Sequence, residues 1–222
     1  YKAGKLKGTP AEQFYLPRSP EALYDIDADP YEIKNLAGDP AHAKTLADLR
    51  GRLAGWMKSM PDLSLFPESE LIKNAWGNPV KFGQTNKARI GELVDIADLS
   101  LGSFAKAQAG ITTALDADDP WKRYWGLIVC SCFGKAAKGF VTTAKAIAAK
   151  DSEPLVRVRA AEFLALIGAQ KPQAVILDVL GKSDSISEVV LALNTVALLK
   201  DSKPGYTFDI PKGLVKPRHR EI

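Results

Sequence analysis

Two octapeptides 34 positions apart, Asp119-Pro-Trp-Lys-Arg-Tyr-Trp-Gly126 and Glu153-Pro-Leu-Val-Arg-Val-Arg-Ala160, set a proline, an arginine and a small residue in one register. Pro120 matches Pro154, Arg123 matches Arg157, and Gly126 matches Ala160. A weaker third copy, Ser183-Asp-Ser-Ile-Ser-Glu-Val-Val-Leu-Ala192, puts Ala192 32 positions after Ala160. A recurrence of this length is about one helix pair, and such pairs bury their apolar faces only by stacking on their neighbours. The reading is a mainly α chain with a helical stack over 89–200.

Apolar spacing fills in that stack. Val156, Ala160, Phe163, Leu164 and Ile167 form the inward stripe of a helix, and this segment, Val156 to Gly168, resembles the second helix of a HEAT repeat. Intervening helices are predicted over 136–149 and 172–182, with earlier ones over 91–98 and 103–116. The helix over 187–200 is apolar on nearly every side and is predicted to be covered on both faces. Upstream, Asp39-Pro40 is a capping carboxylate followed by proline at the first helical position. Leu46, Leu49, Leu53, Trp56 and Met60 then recur at helical steps, giving an amphipathic helix over 40–60 that Pro61 ends. Pro61, Pro67, Gly77, Pro79 and Gly83 make 61–88 read as an extended connection, anchored by Leu63, Leu65, Phe66, Trp76 and Phe82. Residues 1–20 read as irregular, with a helical turn at 10–14. The tail, 201–222, reads as extended and basic, closing on Arg218-His219-Arg220.

The most specific motif lies in Glu21–Leu36. Its residues read as a strand over Leu23–Ile26, a turn at Asp29-Pro30 and a short helical approach to Asn35-Leu36. Leu23, Tyr24, Asp25, Asp29, Pro30, Glu32, Asn35 and Leu36 resemble the LYDL-x-x-DP-x-E-x-x-NL signature near the C-terminus of the type I, formylglycine-dependent sulfatases. The lead-in Pro17-Arg-Ser-Pro-Glu21 and the helix over 40–60 belong to the same resemblance. It implies that 1–60 is the end of an α+β sulfatase C-terminal subdomain, followed by the connection 61–88, HEAT-like repeats over 89–200 and the tail. The parent enzyme would hydrolyse sulfate esters, sulfated glycans among them, using formylglycine and calcium. It would be bacterial and periplasmic or secreted. The upstream catalytic domain would then be this chain's partner, since Tyr1 reads as a cut inside a longer protein.

No catalytic, cofactor or metal residue is assigned to this chain. The formylglycine reaction needs Cys-x-Pro-x-Arg or Ser-x-Pro-x-Arg, and Cys130-Ser-Cys-Phe-Gly134, Cys132-Phe-Gly-Lys-Ala136 and every serine fail it. Asp25, Asp27 and Asp29 have the spacing of an EF-hand loop, but Pro30 and Leu36 stand where that loop needs Gly and Glu. Gly181-Lys182-Ser183 lacks the earlier glycine of a phosphate loop, Ile176 standing there, and Gly181 is predicted to cap a helix. His42 and His219 have no nucleophile arranged around them. Cys130 and Cys132, two apart on a helix, point away from each other and form neither a disulfide nor a metal site. Arg123, Arg157 and Arg159 are predicted to pair with Asp118, Asp119 or Asp151, and an exposed Trp121, Tyr124 and Trp125 cluster to pack between repeats.

The net charge of +4, with 25% charged residues spread along the chain, argues against a dedicated nucleic-acid binder. No apolar run reaches the length of a membrane span. The alternative to a sulfatase fragment is a stand-alone helical-repeat scaffold whose concave face takes a protein or a glycan. The sulfatase reading predicts that Leu23, Ile26, Leu36 and Phe66 expose apolar surface once parted from a catalytic core.

Overall fold

The computed structural model describes residues 4–7 and 19–216, and among them no strand forms. Four helical segments begin where an acid or amide meets a proline. The Asp39 carboxylate accepts the Ala41 N–H at 2.9 Å, Asn78 accepts the Lys81 N–H at 2.9 Å, and Asp119 accepts the Trp121 N–H at 2.9 Å. Glu153 accepts the Leu155 N–H at 3.4 Å. Each proline fixes a helical φ at a position whose N–H has no partner in the first turn, so it costs nothing there. The helices are α1 (Ala43–Ser59), α2 (Pro79–Thr85), α3 (Lys87–Asp98), α4 (Phe104–Leu115) and α5 (Pro120–Phe133). α6 (Val141–Lys150), α7 (Pro154–Leu166), α8 (Gln173–Lys182) and α9 (Ile186–Asp201) complete the set.

The chain divides into two compact units, Tyr1–Arg52 and Leu53–Ile222. In the second, α4/α5, α6/α7 and α8/α9 pack as consecutive pairs, and α5, α7 and α9 touch in succession. α7 is the centre: Leu155, Val156, Val158, Ala160, Ala161, Phe163, Leu164 and Ala165 are all buried. Each large side chain removed from water there contributes about 1.5–3 kcal/mol. Small residues let the pairs approach. A Cβ on Gly126 would lie 3.1 Å from both Ala114 Cβ and Leu115 Cδ2, so α5 meets α4 across bare backbone. Gly134 ends α5 with φ +55° and donates its N–H back to the Cys130 and Ser131 carbonyls. That left-handed conformation suits glycine.

The structure departs from the sequence reading at several points. The predicted strand over 23–26 is absent because it has no neighbouring strand; its Leu23 N–H is taken by the Asn35 side chain instead. The segment 61–88 is largely helical, not extended. It holds a 3-10 turn at Leu63–Leu65, a helical turn at Glu68–Glu70 running into a π turn at Leu71–Ala75, and then α2. Leu65, Phe66 and Ala75 are buried, and Trp125 Nε1 donates to the Leu65 carbonyl at 2.7 Å. Trp121 and Tyr124 are buried rather than exposed. α9 is not covered all round, since Leu198 is 48% exposed. Gly181 lies inside the last turn of α8, whose cap is Ser183, and Leu214 of the tail presses to 3.0 Å from where a Cβ would stand. The stretch Pro120–Lys150 has the length and mean hydropathy (1.2) of a membrane span. It is nevertheless broken at Gly134, and Trp121, Tyr124, Leu127 and Cys130 point into the helical core. The predicted turn at 10–14 and the basic cluster Arg218-His219-Arg220 lie outside the described residues.

Candidate functional site

The signature residues of the first unit build a turn rather than a catalytic cluster. Asp25 Oδ1 accepts the Asp27 and Ala28 N–H groups at 3.2 and 3.1 Å, and the Asp29 N–H closes the turn onto the Asp25 carbonyl at 2.7 Å. Asp29 Oδ2 accepts the Lys34 N–H at 2.7 Å. Glu32 takes a left-handed φ of +53° while donating its N–H to the Asp29 carbonyl. Asn35 is the clamp. Its Oδ1 accepts the Leu23 and Ala37 N–H groups at 3.0 and 2.9 Å, and its Nδ2 donates to the Glu21 carbonyl at 3.4 Å. The Leu36 N–H then reaches the Leu23 carbonyl at 2.7 Å, and Leu36 is buried. Arg50 of α1 holds Glu21 through both carboxylate oxygens.

These hydrogen bonds tie the Asp25, Asp27 and Asp29 triad into the turn. Asp25 and Asp29 already spend carboxylate oxygens on backbone N–H groups, and no group of three or more His, Cys, Asp or Glu suited to a metal occurs among the described residues. His42 Nδ1 lies 3.4 Å from Asp39 Oδ2 at the start of α1, where the Ala41 N–H holds the Asp39 carboxyl below its usual value. His219 lies outside the described residues.

In the second unit the arginines form a ladder. Arg89 pairs with Asp119 through Nε at 2.5 Å and Nη2 at 2.6 Å. Arg123 pairs with Asp151 at 2.7 and 2.9 Å, and Arg157 reaches Asp178 at 2.9 Å. The three arginines are 34 positions apart. Each carboxylate comes from a later part of the stack rather than from the arginine's own helix start. Arg123 Nη1 instead donates to the Ala117 and Asp118 carbonyls at 2.7 and 2.8 Å. Arg89, the first rung, was missed by sequence reasoning, although its spacing from Arg123 was there to find. The hydrogen-bonded Asp151 carboxylate pushes the Arg123 pKa up. Burial opposes ionisation of Asp119, but the Arg89 hydrogen bonds and the Trp121 N–H outweigh it and hold that carboxyl low.

Arg159 stands apart from the ladder. It lies 5.0 Å over the Tyr124 ring, donates to Tyr124 Oη at 2.8 Å and to Glu162 Oε2 at 2.6 Å. Thr195 of α9 donates to the same Glu162 oxygen at 3.0 Å. One oxygen of a buried carboxylate is thereby held from both α7 and α9, a structural use of charge. Cys130 and Cys132 are both free, and burial pushes the Cys130 thiol up to about 12. Lys182 pairs with Asp178 at 2.7 Å, so Gly181-Lys182-Ser183 is a helix end and not a phosphate cradle.

Among the described residues, α1 carries exposed apolar surface. α1 turns Ala54 and Met57 toward the core of the second unit. Its own apolar stripe stays in solvent: Leu49, Leu53, Trp56 and Met60 are 42–56% exposed. Trp56 and Met60 line a groove of about 590 Å³ with Pro61, Leu63, Pro79 and Val80. In the first unit Ile26, Tyr31 and Ile33 are exposed, whereas Leu36 is buried; in the second, Phe66 is buried.

Over 73 residues the chain is 38% identical to an ulvan-active sulfatase of Formosa agariphila, a stretch that is 33% of this chain and 12% of that protein. Over 46 residues it is 41% identical to the multifunctional alkaline phosphatase superfamily protein PehA of Trinickia caryophylli, covering 21% of this chain and 9% of that protein. Part of the chain is therefore related to the sulfatases and the wider alkaline phosphatase superfamily, and it spans about a tenth of the length of these curated relatives. No family model matches the chain. No solved structure matches it.

Proposed function

We propose that this chain is the non-catalytic C-terminal part of a sulfatase, carrying an appended stack of HEAT-like helix pairs. The observation that carries the reading is the bare apolar stripe of α1, inside the region that resembles the sulfatases. An amphipathic helix is stabilised by covering its apolar face. Four large side chains left in solvent along one face argue for a covering surface, and the sulfatase likeness favours an upstream catalytic domain as that surface. The exposed Ile26, Tyr31 and Ile33 around the signature turn support the same partner. Within this reading the parent enzyme hydrolyses sulfate esters, and the chain's own residues position rather than react.

The test is aryl sulfate hydrolysis by residues 1–222 alone and by the full parent protein. The parent is expected to turn over the substrate and the isolated chain to be inactive. Introducing Trp56→Asp and Met60→Asp in the parent is expected to lower its yield and thermal midpoint. A parent inactive on aryl and polysaccharide sulfates, or unaffected by both aspartates, would count against the proposal.

A further inference from the structure

A pocket of about 560 Å³ beside the start of α9 belongs neither to the arginine ladder nor to the signature turn. Ser69, Ile72 and Lys73 line it from the helical and π turns, and residues 184–188 line it from the start of α9, all within the second unit. The first four N–H groups of a helix have no partner inside the helix. At α9 two of them are met locally: Ser183 Oγ accepts the Ser185 N–H at 3.1 Å, and Ser185 Oγ the Glu188 N–H at 3.4 Å. The Ile186 and Ser187 N–H groups meet no acceptor among the described residues. They leave the helix toward its N-terminal end, where the aligned peptide dipoles favour negative charge. A second observation, on a different element, points the same way. Ser69 is 8% exposed, and its hydroxyl has no hydrogen-bond partner among the described residues. That hydroxyl is not sealed inside the protein, and the pocket is the space its residue lines. A donor held this deep is costly to leave unmet. Lys73, on the same wall, is exposed and forms no ion pair among the described residues, its field reaching Glu153 across a longer gap.

The rest of the lining narrows the guest. Ile72 and Ile186 are 44% and 46% exposed and offer it apolar surface. Two acids line the pocket as well: Glu188, which accepts from Ser183 Oγ at 2.7 Å, and Asp184, which pairs with Lys216. One negative charge on a guest gains from two N–H groups, a hydroxyl and an ammonium, whereas a second would be repelled by these acids. We propose that this pocket binds a monocarboxylate carrying a short aliphatic body. Its oxygens take the Ile186 and Ser187 N–H groups and the Ser69 hydroxyl, Lys73 balances its charge, and its alkyl part lies against Ile72 and Ile186. The donor set and the walls carry this assignment, independently of the sulfatase reading.

The experiment follows the amide chemical shifts of residues 1–222 against isovalerate, isobutanol and phosphate. Isovalerate is expected to saturate at roughly millimolar concentration and to move the Ile186 and Ser187 amides most. Isobutanol has the body without the charge and phosphate the charge without the body, and each is expected to bind at least about tenfold more weakly. N-acetylleucine presents the same carboxylate as a peptide end: tighter binding than isovalerate assigns the guest to a chain end, weaker binding to a free acid. Ile186→Pro deletes one N–H at a first helical position, which proline already occupies in α5 and α7. Ser185 has the extended backbone that must precede a proline. Ile186→Pro is expected to weaken isovalerate about tenfold with unchanged helicity, whereas Ile186→Ala, which keeps the N–H, costs about threefold. Ser69→Ala is expected to cost about fivefold and Lys73→Gln about twofold. No saturation by about 50 mM, shifts scattered over the chain, or isobutanol or phosphate binding as tightly as isovalerate would overturn the proposal. So would equal losses in Ile186→Pro and Ile186→Ala, or no loss in Ser69→Ala.

Discussion

Replacing Arg123 by alanine is the sharpest probe of the stack. Its side chain is 14% exposed and that of Asp151 5%, and the pair is bidentate. The same guanidinium also satisfies the Ala117 and Asp118 carbonyls. Arg123→Ala therefore strands a buried carboxylate, whose remaining hydrogen bond is the Glu153 N–H. Breaking one partner of a fully buried pair costs about 3–5 kcal/mol. Allowing for the water that reaches the arginine, about 3 kcal/mol is expected. With a urea slope near 2 kcal/mol per molar, that moves the unfolding midpoint down by about 1.5 M. The double variant Arg123→Met/Asp151→Leu removes both charges and is expected to recover most of the loss. Arg52→Ala breaks a pair that is 74% and 68% exposed and is expected to cost under about 0.5 kcal/mol. A cost below about 1 kcal/mol for Arg123→Ala, or a double variant as unstable as the summed singles, would refute the ladder as a stabilising device.

Other outcomes follow from the same geometry. The Asp119 carboxyl is held below its ordinary 3.8, so its contribution is present above that value and is lost as pH falls through the folded one. Urea stability of the parent and Asp119→Asn should differ at pH 6 and converge toward pH 2; an equal gap at both would contradict the sign. Burial raises both thiols, but Cys132 is exposed and Cys130 buried. A thiol reagent at pH 8 should titrate one cysteine in the native chain and two in guanidinium, and immediate reaction of both would be wrong for this packing. Asn35→Ala removes the acceptor for the Leu23 and Ala37 N–H groups; hydrogen exchange should speed up at both amides while α7 stays protected. Gly126→Ala forces a methyl to 3.1 Å from Ala114 and Leu115 and is expected to cost about 1–3 kcal/mol, read as a drop in thermal midpoint.

Much of this architecture was legible wherever a short-range signal agreed with a long-range one. Asp39-Pro40 announced a helix start, and the periodic apolar residues behind it gave the helix over 40–60. The same signal stood at Asn78-Pro79, yet 61–88 read as extended because its prolines looked like breaks rather than first helical positions. The π turn at Leu71–Ala75 has no local signature at all. A strand over 23–26 was plausible from composition, but strands need partners, and this one meets only the Asn35 side chain. The register of Arg123 and Arg157 was visible and Asp151 stood among the predicted partners, whereas Asp178 did not, because only packing brings its helix to Arg157. Trp121 and Tyr124 read as exposed since nothing in the sequence says that Arg159 covers the Tyr124 ring or that Trp121 packs against that ring's edge. The stripe on α1 was legible as a helix face, but its exposure appears only in the folded chain.

The most direct test of the account is to read the coding region upstream of Tyr1. The account expects several hundred codons containing a Cys-x-Pro-x-Arg or Ser-x-Pro-x-Arg segment, joined in frame to the turn that Asp25, Asp29 and Asn35 build. A start codon or signal peptide directly upstream, with no such segment, would contradict it and leave a non-catalytic repeat scaffold with a sulfatase-like turn.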